Sequence, residues 1–151
     1  MNRLPPDPAI EGNIIERLKT LPIKVKAAAI YGSSAKRTQK EDSDIDLLLI
    51  SDKVNPRRHK RGKEIATIKE WFALDFPLDI LLLTTNECIS NFRNPNPLFL
   101  DIAWEGIILF DEDGFLSSLI EETRGYISER KINKLEDGWV FPVPDRALAL
   151  L

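Results

Sequence analysis

Two apolar runs, 25–31 and 45–50, flank a short polar stretch that opens with Gly32-Ser33 and closes with Asp44-Ile45-Asp46. This arrangement restricts the fold more than any other feature of the chain. Short apolar runs rich in Ala, Ile and Leu, bounded by glycine and polar residues, read as strands. The second run, Ile45-Asp46-Leu47-Leu48-Leu49-Ile50, is near-continuous in Leu and Ile, the pattern of a strand buried on both faces. A sheet covered by helices is therefore required, with a turn and two acids held between its strands.

The remaining elements fit that frame. Ile10, Ile14, Ile15, Leu18 and Leu21 recur at helical spacing, so 8–20 reads as an amphipathic helix that stops before Pro22. Ser33 or Ser34 can cap a short helix to about Thr38, and 39–43 is a polar loop. A helix with Ile65, Ile68, Trp71 and Phe72 inward ends near Asp75, before Pro77, and 78–83 is a third strand. Thr84-Thr85-Asn86-Glu87 caps a short helix that fails at Asn94-Pro95, and another covers 97–105 up to Gly106. Residues 107–110 form a fourth strand, 111–114 a turn, and Phe115, Leu116, Leu119, Ile120 and Ile127 mark a long last helix before a tail containing Trp139 and Phe141. The expected class is α/β (α+β): a small mixed sheet of four to five strands flanked by helices, with a C-terminal helical extension. The expected core is 1–113, with 114–151 part of the same single domain.

At 151 residues, 43% apolar and 30% charged, the chain has the size and composition of one globular domain. Its single cysteine, Cys88, permits no internal disulfide and no zinc framework, and reads as a small core residue. Residues 1–6 form no apolar signal region and no stretch is long enough to span a membrane, so a cytoplasmic protein is expected. A net charge of −3 argues against extended nucleic-acid binding. One basic run, Arg57-Arg58-His59-Lys60-Arg61-Gly62-Lys63, is either a solvated helix start or a patch that meets triphosphate or an acidic partner. Trp71 and Trp104 read as core; Trp139 and Phe141 either pack back on their own domain or anchor a partner.

The chemistry lies in the spaced motif. Residues two apart in a strand share a face, so Asp44 and Asp46 project together. Mg2+ takes hard oxygen ligands, usually one or two carboxylates with phosphate oxygens and water completing its shell. A site with two ions roughly 3.5–4 Å apart needs a third carboxylate. Asp79, an acid interrupting an apolar strand, is preferred over Asp75 because a lone buried carboxylate has no structural use there. Gly32 permits a tight turn and close backbone approach to a ligand. Ser33 and Ser34 add hydroxyls, free N–H groups at a helix start can face phosphate, and Lys36 and Arg37 follow within a turn to neutralise it.

Gly32-Ser33, ten residues, then Asp44-Ile45-Asp46 resembles the hallmark of the polymerase-β-like nucleotidyltransferase superfamily, with Asp79 where that family's third acid falls. The likeness covers about residues 10–113, including the closing segment 105–111. One departure is that Lys36 and Arg37 stand where an arginine and a glycine are usual. The resemblance implies Mg2+-dependent transfer of a nucleoside monophosphate from a nucleoside triphosphate such as ATP, with two metal ions held by Asp44, Asp46 and Asp79. The chain's size makes it most similar to minimal nucleotidyltransferases of the antitoxin type, which act on a HEPN-family toxin partner by attaching AMP. Two other readings stay open: a small-molecule acceptor such as an aminoglycoside, or a non-catalytic module that masks a partner.

Overall fold

The computed structural model describes residues 8–32, 44–72, 77–94, 96–136 and 138–142. Ser33, Ser34, Lys36 and Arg37, the short helix and loop expected over 33–43, and Asp75 lie outside the described residues.

The first helix, α1 (Pro8–Lys19), leads into β1 (Ala27–Tyr31). After β2 (Ile45–Ile50), a 3-10 turn (Arg58–Lys60) precedes α2 (Gly62–Phe72) and β3 (Leu78–Leu83). Helices α3 (Thr85–Arg93) and α4 (Pro97–Glu105) lead to β4 (Ile107–Asp111), α5 (Phe115–Glu129) and a hairpin of β5 (Asn133–Leu135) and β6 (Gly138–Val140). The sheet order is β3-β2-β1-β4, with β1 antiparallel to β2 and β4, and β2 parallel to β3. A parallel pair needs a crossover, and α2 supplies it. This is the mixed four-stranded sheet with flanking helices that the sequence predicts.

Every residue of β1 is buried, as is all of β2 except the half-buried Asp46. Alternate residues therefore feed two cores. On one face Ala28, Ile30, Leu47, Leu49 and Leu82 meet Ile14 of α1 and Ile68 and Phe72 of α2. On the other, Ala27, Ala29, Leu48, Ile50 and Leu83 meet Cys88, Phe92, Phe99, Ile102, Leu116 and Leu119 from α3, α4 and α5. The helices between are ended by local chemistry. Thr84 and Glu87 form a reciprocal capping box at α3, Asn96 and Pro97 start α4, and the Asp111 carboxylate accepts from the N–H groups of Leu116 and Ser117 at the start of α5.

Three expectations need correction. Trp71 and Trp104 are 38% and 40% exposed, not core. Trp71 sits in the last turn of α2, where its indole N–H donates to the Arg17 carbonyl while the Arg17 guanidinium donates to its own. Trp104 lies edge-on to Trp139 at 6.1 Å. The tail builds a hairpin that no apolar periodicity announced. Trp139 packs back, donating to Asp101 beside Lys134, whereas Phe141 remains 40% exposed. Finally, Arg61 is not a solvated member of its basic run. It is 1% exposed and donates to the carbonyls of Asn55, Pro56 and Leu82 and, bidentately, to Glu87.

Candidate active site

Strand register builds the site. Tyr31 of β1 is opposite Asp46 of β2, and Asp46 is opposite Asp79 of β3. Residues paired across neighbouring strands share a face, so Tyr31, Asp46 and Asp79 form one row across the end of the sheet, on the face covered by α3 to α5. Asp44 is exposed immediately before β2. Asp79 is also exposed, at the open start of β3. The expectation of a buried lone carboxylate is therefore corrected: an acid is tolerated in this apolar strand because its position faces solvent and a second carboxylate, not a core.

The electrostatics follow from that crowding. Burial, then the charge of Asp79, a hydrogen bond shared with the Asp79 carboxyl, and the charge of Asp44 push Asp46 from 3.8 up to about 6. Burial followed by the charges of Asp46 and Asp79 pushes the Tyr31 phenol up to about 12, so it stays a hydrogen-bond donor at neutral pH. Gly32 completes the corner in the left-handed conformation, φ 69°. A Cβ at this position would run into the Asp46 carboxylate oxygen, so the backbone turn and the acid are fitted to each other.

Among the described residues no three His, Cys, Asp or Glu side chains converge on one point. The carboxyls in contact are a pair, Asp46 and Asp79, with Asp44 near enough for its charge to be felt. Two repelling hard-oxygen groups in contact are a donor set that a small divalent cation would relieve, and Mg2+ commonly takes no more than two protein carboxylates. The residues present thus fit such an ion.

The family model for polymerase beta nucleotidyltransferases matches residues 12–114, a span that contains all of this geometry. The chain belongs to that family. A protein of Methanocaldococcus jannaschii described as a candidate protein adenylyltransferase is 28% identical to this nucleotidyltransferase over 102 residues, covering 68% of this chain and 69% of that one. Among solved structures, a chain from a toxin–antitoxin complex with AMP-PNP is 18% identical with a TM-score of 0.45, covering 80% of this chain and 92% of that chain. Another, from a tri-AMPylated Shewanella oneidensis HEPN toxin in complex with MNT antitoxin, is 16% identical with a TM-score of 0.40, covering 80% and 89%.

Other features of the nucleotidyltransferase stand apart from the acid row. The basic run follows Ile50, at the opposite end of β2 from Asp46, about 13 Å along the strand at about 3.3 Å per residue. Cys88 is fully buried, its thiol pushed up to about 12 by burial and by the charge of Asp111, as suits a core residue. A cavity of about 400 Å³ between α1 and Phe110 is lined by Ile15, Leu18, Leu21, Ile23 and their neighbours, without a carboxylate. Tyr31 is the neighbour that sequence reasoning missed. Its signal was the one hydroxyl at the end of an Ala-Ile strand, directly before Gly32. No helix among the described residues is long and apolar enough to cross a membrane.

Proposed function

We propose that this nucleotidyltransferase moves AMP from ATP onto a side chain of a partner protein in an Mg2+-dependent reaction that releases pyrophosphate. The observation that carries the reading is the in-register contact of Asp46 with Asp79 beside the left-handed Gly32. Asp46 and Asp79, assisted by Asp44, are the residues that would hold the metal. Bound there, the ion would neutralise phosphate charge and stabilise the leaving oxygens. Gly32 would let backbone approach the phosphates, and Ser33, Ser34, Lys36 and Arg37 are the residues we propose to contact the triphosphate.

The acceptor hydroxyl oxygen forms its bond to the α-phosphorus as the bond from that phosphorus to the bridging oxygen breaks. Pyrophosphate leaves with that electron pair. Asp79, exposed near the start of β3, would take the acceptor's proton. Family membership and the adenylyltransferase description of the archaeal relative support AMP and a protein acceptor. A HEPN-type toxin is the first acceptor to test, and the cytoplasm the expected compartment.

The test is intact-mass measurement of candidate partners incubated with ATP and Mg2+, using the native protein and an Asp44→Ala, Asp46→Ala variant. Mass gains in AMP units with the native protein alone are expected. A gain on no partner, with ATP still consumed, would move the acceptor to a small molecule. Absence of metal-dependent ATP binding would overturn the enzymatic reading and leave a masking module.

A further inference from the structure

The turn after β2 is a cationic surface built on a rigid support. Arg57, Arg58, His59, Lys60 and Lys63 are all exposed, and the 3-10 turn of Arg58–Lys60 among them buries none of its residues. None of the five takes part in an ion pair among the described residues, whereas Arg61 in their midst is buried and bonded to Glu87. The Arg61 guanidinium ties together the carbonyls of Asn55, Pro56 and Leu82, and the Asn55 side chain accepts from the Arg57 N–H. The neighbouring acids are engaged locally and not by the five cations: Glu64 accepts from the Asn55 N–H, and the exposed Asp52 from the Thr85 N–H and hydroxyl. Such a support lowers the ordering cost that a flexible basic loop would meet on binding.

We propose that this turn is a docking surface for an acidic face of a partner protein, at the end of the sheet opposite the acid row. Charge distribution favours a protein over a nucleic acid. Taking Arg57, Arg58, Lys60 and Lys63 from the 21 Lys and Arg leaves 17 against 24 Asp and Glu, a balance of −7. A polyanion charged along its whole length is repelled by such a remainder, while a discrete acidic patch is oriented by it. Residues 51–63 contain no Phe, Tyr or Trp to stack bases. The inference stands independently of the transfer reaction, because none of these side chains belongs to the acid row.

The experiment compares three forms of the full chain by fluorescence anisotropy against a labelled oligoglutamate peptide and an oligothymidylate of matched charge. The forms are native, a patch variant (Arg57→Gln, Arg58→Gln, Lys60→Gln, Lys63→Gln) and a control of equal net charge (Lys19→Gln, Lys69→Gln, Arg93→Gln, Lys131→Gln). The expected result is tighter binding of the peptide than the oligonucleotide, weakened about tenfold in the patch variant with a shallower salt dependence, and little changed in the control. Equal losses in both variants would reduce the effect to net charge and overturn the proposal. Preferential binding of oligothymidylate would replace it with a nucleic-acid surface. Should the fourfold variant melt early, single Arg58→Gln and Lys60→Gln changes give the same comparison on a smaller scale.

Discussion

Asp46 is a residue whose placement costs stability. Its folded pKa of about 6 lies above its ordinary 3.8, so the protonated form is favoured by folding. The metal-free protein should therefore gain stability as pH falls through 6 toward 4 and lose that gain as pH rises through 6. Because the side chain is only half-buried, solvent screening reduces the effect to about 1 kcal/mol. Asp46→Asn should raise the metal-free melting temperature at pH 8 by about 2–4 °C while abolishing AMP transfer; an unchanged melting curve would contradict the crowding described. Gly32→Ala should act in the opposite direction. The left-handed backbone alone costs about 1–2 kcal/mol for a residue with a Cβ, and that Cβ would displace the Asp46 carboxylate. Urea unfolding should show the loss, and ATP binding should weaken with it.

At the scale of elements, the pair of buried Arg61 and half-buried Glu87 joins the turn after β2 to β3 and the start of α3. Burial raises the Glu87 carboxyl, but hydrogen bonds from Arg61 and from Thr84 N–H outweigh it and hold the group below its ordinary 4.5. Its stabilisation is thus present above that value and lost as pH falls below it, so Glu87→Gln should flatten the acid limb of the stability profile. Arg61→Met should cost about 3 kcal/mol or more, and Arg61→Met with Glu87→Leu should recover part of that, measured by denaturant unfolding. None of this was legible in the sequence, where Arg61 is one of six basic residues in the run 57–63 and only a partner far along the chain distinguishes it. The strands were legible because their apolar runs are continuous, and Asp44 and Asp46 because of their spacing from Gly32. Asp79 was found as an acid in an apolar run, though its tolerance comes from an exposed strand start. The short polar strands of the hairpin and the sideways use of Trp71 leave no periodic trace, since both depend on contacts with other elements.

For the whole molecule, we infer that the described part of the C-terminal extension, 114–136 and 138–142, belongs to the same cooperative unit as the core. Arg124 of α5 donates to the carbonyls of Ala103 and Trp104 at the end of α4, and Leu100, Ile127 and Ile132 share a cluster that Trp139 covers. Calorimetry should give a single transition, and Trp139→Ala should lower the stability of the entire unit by about 1–3 kcal/mol, the half-buried share of a full tryptophan truncation. A separate early transition for the tail would refute this. The parallel pairing of β2 and β3 also sets an order in time. Asp46 can find β1 through a local antiparallel contact, but Asp79 reaches it only after α2 has crossed the sheet, a long-range closure of the kind that slows folding. A nascent chain released as far as Phe72 already carries the turn and its first acids without the partner that completes the row. A chain truncated after Phe72 is therefore expected to lack metal-dependent ATP binding, because the acid row is completed only across the crossover.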